Sequence, residues 1–207
     1  MRIANFYSHL NGYEYLMVHR QGEWGEISNA IESIDANQFR KISREISRHG
    51  REVYDQKLIN RAFKAYLSAR NWNDRTTPYF VTGDIDTARE IANIRDHNVQ
   101  REIIESKGLT AYRTYNQVDF VKNRIAVEVQ FGKYFSVAYD LHVKHTFFFI
   151  RNDIDVGIEI IPTKAMCLRM DSGVAWFENE VANVIREGRS NPSVPIVIVG
   201  IEPENLI

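Results

Sequence analysis

Two short segments of alternating apolar and polar residues, joined by a polar turn, place the strongest constraint on the fold. The segments are residues 117–121 and 125–131, and the residues between them are Lys122, Asn123 and Arg124. Alternation with a period of two is typical of β-strands, because successive side chains of a strand point to opposite faces. A connection this short joins only antiparallel neighbours. The sequence therefore predicts a β-hairpin here and a sheet in the second half of the chain.

Elsewhere the patterns are mainly helical before residue 108 and alternate between strand and helix after residue 116. Before the hairpin, the predicted elements are a strand over 1–8, helices within 13–47 broken at 33–36, and a helix over 57–70. A polar connection over 71–78 follows, then a helix that begins after 84–86 and ends at 96–98, and a helix over 99–106. After the hairpin, the predicted elements are a helix over 135–149, a strand over 155–161, helices over 163–170 and 172–187, and a strand over 194–201. This alternation predicts an α/β fold with a central mixed sheet flanked by helices. A length of 207 residues predicts one domain over residues 1–207.

Composition excludes several classes of protein. The single cysteine, Cys167, cannot form an intramolecular disulfide and favours a reducing environment. The longest apolar runs are far shorter than the roughly 20 residues of a membrane helix, and residues 1–12 lack an apolar signal segment. Neither GxxxxGK[ST] nor GxGxxG occurs, so we expect no nucleotide cofactor. We therefore expect a cytoplasmic protein with no membrane partner, and 26 basic against 27 acidic residues give no indication of a nucleic-acid partner.

The hairpin brings two carboxylates together. If Asn123 and Arg124 form a two-residue turn, Asp119 lies opposite Glu128, with Cβ atoms about 5 Å apart. Two carboxylates at that distance can bind one hard divalent cation, and Gln130 on the same face can orient a metal-bound water. Such a site suits metal-assisted hydrolysis of a phosphodiester. The alternative is a half-buried strand whose outer face, with Glu128 and Gln130, is merely solvated.

Residues 116–134, with the sequence NQVDFVKNRIAVEVQFGKY, resemble the active-site segment of one branch of the type II restriction endonucleases, the branch that contains BstYI and BglII. The resemblance extends over nearly the whole chain. The other matching segments are MRI and YSHLNG near the start, SID at 33–35, YDL and VKH within 139–145, IDVG and EI within 154–160, SG at 172–173, and VIR and GR within 184–189.

This resemblance implies the restriction-endonuclease-like (PD-(D/E)xK) fold and a set of site residues. It implies that Asp119 and Glu128 bind the catalytic Mg²⁺ and that Gln130 completes the catalytic group. Gln130 stands where the wider superfamily has a lysine, and a neutral amide can orient water but cannot supply a positive charge. The resemblance also implies that Lys133 and Ser172 contact DNA bases.

Other roles remain open for the two recognition candidates and for a basic segment. Lys133 is otherwise a solvated lysine at a strand end, and Ser172 is otherwise the N-cap of the helix predicted over 172–187. The basic segment 40–51 is either a solvated helix face or a surface that contacts phosphates.

The implied activity is Mg²⁺-dependent hydrolysis of double-stranded DNA at a palindromic hexamer with a GATC core. The expected site is R^GATCY, where R is a purine and Y a pyrimidine, and cleavage would leave four-base 5′ overhangs. A palindromic site predicts a homodimer. We expect its dimer-forming helices mainly within 10–108, with the helix after Phe135 as a further candidate. The catalytic α/β core is expected mainly within 116–201. The alternatives are a sequence-specific DNA-binding protein without cleavage and a structure-specific DNA repair nuclease.

Overall fold

A computed structural model describes residues 1–206 of the chain. The described chain divides into two compact units. The first comprises Met1–Asn73 together with the chain from Asp119 onward, and the second comprises Asp74–Val118. The prediction of one domain over residues 1–207 stays a prediction, because compactness alone does not show whether two units fold separately.

The described residues form eight β-strands and nine α-helices. The strands are β1 (Arg2–His9), β2 (Arg40–Ile42), β3 (Glu52–Tyr54), β4 (Asn73–Val81), β5 (Tyr112–Lys122), β6 (Ile125–Val129), β7 (Val156–Pro162) and β8 (Ile196–Glu202). The helices are α1 (Gly12–His19), α2 (Gln21–Ser33), α3 (Gln56–Ser68), α4 (Ile85–Ile91), α5 (His97–Ser106), α6 (Tyr134–Tyr139), α7 (His145–Ile150), α8 (Lys164–Cys167) and α9 (Phe177–Glu187). A π-helical segment, Asp140–Lys144, joins α6 to α7.

The sheet of the first unit is mixed and runs in the order β1-β8-β7-β6-β5. Strands β6, β7 and β8 are parallel, whereas β1 pairs antiparallel with β8 and β5 pairs antiparallel with β6. In the second unit, β4 lies beside the first part of β5, with α4 and α5 in the same unit. This architecture confirms the predicted α/β fold with a central mixed sheet flanked by helices.

Helices cover both faces of the central strands, and every residue of β6 and β7 is buried as a result. One face packs against apolar residues of α1, α2 and α3, such as Leu16, Ile31 and Phe63. The other face packs against the segment after α6 and against α9, through residues such as Leu141 and Val184. Among residues 1–206, no helix is both long enough and apolar enough to cross a membrane.

Three local predictions were wrong. The basic segment 40–51 is not helical: β2 and β3 pair as an antiparallel hairpin around a 3₁₀ turn, and buried Val53 anchors it. The connection predicted over 71–78 is most of β4, whose polar residues give no alternating pattern. Ser172 is not an N-cap, because α9 begins five residues later at Phe177.

Candidate active site

The turn between β5 and β6 fixes the register of the candidate site. Asn123 and Arg124 both have positive φ angles, 46° and 67°, which is the conformation of a type I′ two-residue turn. Phe120 is paired with Val127 in the ladder that follows. The ladder ends at this pair, and Asp119 and Glu128 are the next residues of the two strands. The hairpin and its two-residue turn are therefore as the sequence predicts.

The two carboxylates of this pair lie in different surroundings. Asp119 is exposed, and its carboxylate accepts no hydrogen bond from any residue in the described part of the chain. Glu128 is only 1% exposed, since β6 is a central strand covered on both faces. The alternative of a solvated outer face is therefore wrong for Glu128. One carboxylate is open to solvent, and its neighbour is set into the protein.

A lysine and an aspartate from the π-helical segment complete the surroundings of Glu128. The Lys144 Nζ atom lies 3.0 Å from Glu128 Oε1 and 2.6 Å from Asp140 Oδ1. The Gln130 side-chain amide donates to Asp140 Oδ2 at 3.1 Å, and Gln130 Oε1 accepts from the Gly132 backbone N–H at 2.8 Å. An unbroken series of polar contacts therefore connects Gln130 to Glu128 through Asp140 and Lys144.

The group contains three acidic side chains, Asp119, Glu128 and Asp140, and one basic side chain, Lys144. Burial raises the pKa of Glu128 well above its ordinary value, and the negative charges of Asp119 and Asp140 raise it further. Burial also raises the pKa of Asp140, although Lys144 opposes that shift. Burial disfavours the charged form of Lys144, but the two carboxylates outweigh it and raise the pKa of the ammonium group. Three acids share one lysine, and this imbalance favours the binding of an additional cation.

The donor set fits a divalent metal with a partly open coordination shell. Glu128 Oε2 accepts no hydrogen bond from the described residues, so this ligand oxygen is available beside the exposed Asp119. Within residues 1–206, no group of three or more His, Cys, Asp or Glu residues is arranged as a metal cage. A cation here would therefore take its remaining ligands from water and substrate, as Mg²⁺ does in phosphate chemistry.

A second buried pair lies behind this group. Glu159 of β7 is in register with Glu128 and is fully buried. Its Oε2 lies 3.4 Å from Nε2 of His145, which is also fully buried. Burial raises the pKa of Glu159 well above its ordinary value and lowers the pKa of His145 to about 3. At neutral pH His145 is therefore uncharged, so the contact is a polar core pair rather than an ion pair.

The imidazole of His145 packs directly on the backbone of β7. A Cβ atom at Gly157 would lie 2.6 Å from His145 Nδ1, so only glycine fits beneath the ring. The sequence indicated neither Asp140, Lys144 nor Glu159 as a site residue. The only sequence signal for Lys144 is its spacing of four from Asp140, which on any surface helix is an ordinary ion pair.

The two recognition candidates lie on adjacent segments. Lys133 is exposed and forms an isolated antiparallel bridge with Val174. Ser172 is exposed in the turn just before Val174, and its backbone N–H donates to Glu45 Oε2 at 2.7 Å. The preceding Asp171 binds Ser43 Oγ at 2.8 Å and the Lys41 ammonium at 2.5 Å. The β2–β3 hairpin therefore anchors the loop that carries Ser172 and holds it beside Lys133.

A family model described as restriction endonuclease BglII/BglIII matches residues 4–201 of this sequence. The chain belongs to the BglII/BglIII family of restriction endonucleases. It is therefore a type II, site-specific deoxyribonuclease, as the resemblance implied. No curated protein matches the sequence.

Two solved structures show the same fold. The chain is similar to restriction endonuclease BglII in complex with a DNA 16-mer, with a TM-score of 0.65 and 19% identity over 97% of this chain and 79% of BglII. It is also similar to free BglII, with a TM-score of 0.59 and 16% identity over 98% of this chain and 81% of BglII. These similarities confirm the restriction-endonuclease-like fold.

Proposed function

We propose that this BglII/BglIII-family enzyme is an Mg²⁺-dependent endonuclease that binds double-stranded DNA and cleaves R^GATCY, leaving four-base 5′ overhangs. Because the proposed substrate is DNA inside the cell, the proposal also places the enzyme in the cytoplasm of a bacterial or archaeal cell. The observation that carries the proposal is that exposed Asp119 and buried Glu128 directly follow the last paired residues of one hairpin and lie close enough for their charges to interact. Related BglII has been solved in complex with DNA, which supports duplex DNA as the substrate.

Asp119 and Glu128 would hold Mg²⁺ in this proposal. When bound, the ion polarises the phosphoryl oxygen and acidifies the attacking water. Gln130 uses one amide N–H on Asp140 and one oxygen lone pair on the Gly132 backbone, which fixes its orientation. Its second N–H and second lone pair remain to orient a water molecule. Gln130 is therefore a positioning group for water and not a base.

Lys133 and Ser172 would read bases from the loop beside the site. An exposed ammonium group can donate to the N7 and O6 acceptors of guanine in the major groove. A hydroxyl group both donates and accepts, which suits an outer base pair that is either A·T or G·C with the purine on one strand. The resemblance to BstYI, the member of the branch with degenerate outer positions, is the basis for R and Y. The anchoring of Ser172 by Glu45 supports a defined position for this hydroxyl.

The proposal includes a homodimer. One chain carries one Asp119–Glu128 pair, whereas double-strand cleavage at a palindrome needs one centre for each strand. Exposed apolar side chains lie on the helix after the catalytic strand, which supports an interface there or nearby. The exposed side chains are Tyr134, Phe135, Tyr139 and Val143.

Digestion of a plasmid of known sequence with Mg²⁺, followed by sequencing of the ends, tests this proposal. We expect discrete fragments whose 5′ ends begin with GATC and whose outer bases are purine and pyrimidine. Cuts confined to mismatches or junctions would instead indicate a repair nuclease. Specific binding to a GATC hexamer with no cleavage at any Mg²⁺ concentration would indicate a DNA-binding protein without nuclease activity.

A further inference from the structure

Lys144 is a half-buried cation beside Glu128, and the family resemblance assigns it no role. It ends the π-helical segment Asp140–Lys144, and its side chain is 19% exposed. Segments of π-helix inside α-helices are frequent at functional sites. Here the segment places the ammonium group between Asp140 on the same helix and Glu128 on β6.

The second of these contacts distinguishes Lys144 from an ordinary helix ion pair. The contact with Asp140 spans four residues of one helix and would satisfy the lysine by itself. The contact with Glu128, at 3.0 Å, crosses from the helix to the central strand. It occupies one carboxylate oxygen and leaves Oε2 without a hydrogen-bond partner among the described residues. The geometry therefore selects which oxygen of Glu128 is available to a metal.

The same contact supplies a charge that the motif position lacks. The superfamily motif has a lysine two residues after the second acid, and this chain has Gln130 there. Gln130 contacts Asp140, which contacts Lys144, so the amide and the ammonium belong to one network. A positive charge thus reaches the catalytic carboxylate from a different element of the fold.

We propose that Lys144 is a positioning residue of the metal centre. Lys144 holds Glu128 in the orientation that leaves Oε2 for the ion, and it supplies the positive charge that Gln130 cannot. This inference rests on the proposed function of Asp119 and Glu128 as metal ligands. Groups that orient a metal ligand typically change metal affinity or activity by about 10- to 100-fold when they are removed.

Titration of Mn²⁺ into the purified protein with a GATC-hexamer duplex, followed by the paramagnetic signal of free Mn²⁺, tests this role. Lys144→Met removes the charge at similar length, and Lys144→Arg keeps it. The matched control is Lys122→Met, because Lys122 is 21% exposed and also forms a carboxylate ion pair, with Glu26, outside the site. We expect about 10- to 100-fold weaker Mn²⁺ binding for Lys144→Met, wild-type affinity for Lys122→Met, and affinity within about threefold of wild type for Lys144→Arg.

Two results would overturn the inference. Unchanged Mn²⁺ affinity in Lys144→Met, with only a lower melting temperature, would show a purely structural ion pair. Tighter Mn²⁺ binding would show that Lys144 competes with the metal for Glu128. If Lys144→Met does not fold, Lys144→Gln makes the same comparison with a neutral polar side chain. Asp119→Asn separates this inference from the proposed function: if it binds Mn²⁺ as wild type does, the metal site itself is wrongly placed.

Discussion

His145 gives a quantitative prediction about acid stability. Its imidazole is fully buried, and burial lowers its pKa from 6.5 to about 3, with the charge of Lys144 acting in the same direction. The folded protein therefore keeps His145 neutral, whereas the unfolded chain binds a proton there below about pH 6.5. The stability that depends on neutral His145 is fully present above pH 6.5 and is lost as the pH falls toward 3.

The size of this effect follows from the difference in pKa. Each pKa unit corresponds to about 1.36 kcal/mol, so the free energy of unfolding falls by about 2.7 kcal/mol between pH 6.5 and pH 4.5 through this group. Glu159 acts in the opposite direction because its pKa is raised, and its contribution has to be removed from the comparison. The pair to compare is therefore Glu159→Gln and the double variant Glu159→Gln/His145→Phe.

Urea unfolding at pH 7.0 and at pH 4.5 measures the effect. Phenylalanine keeps the ring volume over Gly157 but cannot bind a proton. We expect Glu159→Gln to lose about 2.7 kcal/mol more than the double variant between the two pH values. His49→Phe, made in the same background at an exposed position, controls for the loss of a histidine. Equal pH dependence in the single and double variants would refute the assignment of a neutral, buried His145.

Three further substitutions test other parts of the structure. Glu159→Gln should become more stable relative to wild type at pH 8 than at pH 4.5, because the raised pKa of Glu159 costs the wild-type protein stability as the pH rises. Urea unfolding at both pH values measures the difference, and an equal pH dependence of the two proteins would contradict it. Gly157→Ala should lower the free energy of unfolding by about 1–3 kcal/mol, because the new methyl group overlaps the His145 ring. An unchanged midpoint of urea unfolding would contradict that packing. Glu45→Ala should change the ratio of cleavage rates at AGATCT and GGATCC by about threefold or more, because it releases the Ser172 backbone N–H. The control Glu52→Ala, in the same hairpin, should leave this ratio unchanged.

The catalytic hairpin was predictable because its information is local. Period-two alternation and a short polar connection specify the strands and the turn, and the turn then sets the register of the pairs that precede Asp119 and Glu128. The alternation could not show that the Glu128 side chain is buried. Its burial depends on β7 and on helices that cover β6 but are distant in the chain, and the local sequence pattern carries no information about these contacts.

The errors in the fold have a similar origin. β4 is polar and exposed over most of its length, so its strand conformation is set by hydrogen bonding to β5 rather than by burial of its own side chains. In the basic segment 40–51, the strands β2 and β3 are only three residues long, too short to show a period. Lys144 was missed because a π-helical segment has no sequence signature, and that segment sets which way the lysine points.

The rate of DNA cleavage by Asp119→Asn tests the central claim most directly. Asparagine keeps the shape of the side chain and removes the charge that the proposed Mg²⁺ site requires. The control is Asp86→Asn, because the Asp86 side chain is 91% exposed and lies outside the site. We expect the rate of cleavage of a GATC-hexamer duplex to fall by roughly 1,000-fold or more in Asp119→Asn, as it does when electrostatic stabilisation is lost at a catalytic centre. Binding of the duplex should be retained, and Asp86→Asn should be as active as wild type. Cleavage by Asp119→Asn at the wild-type rate would contradict the assignment of the active site.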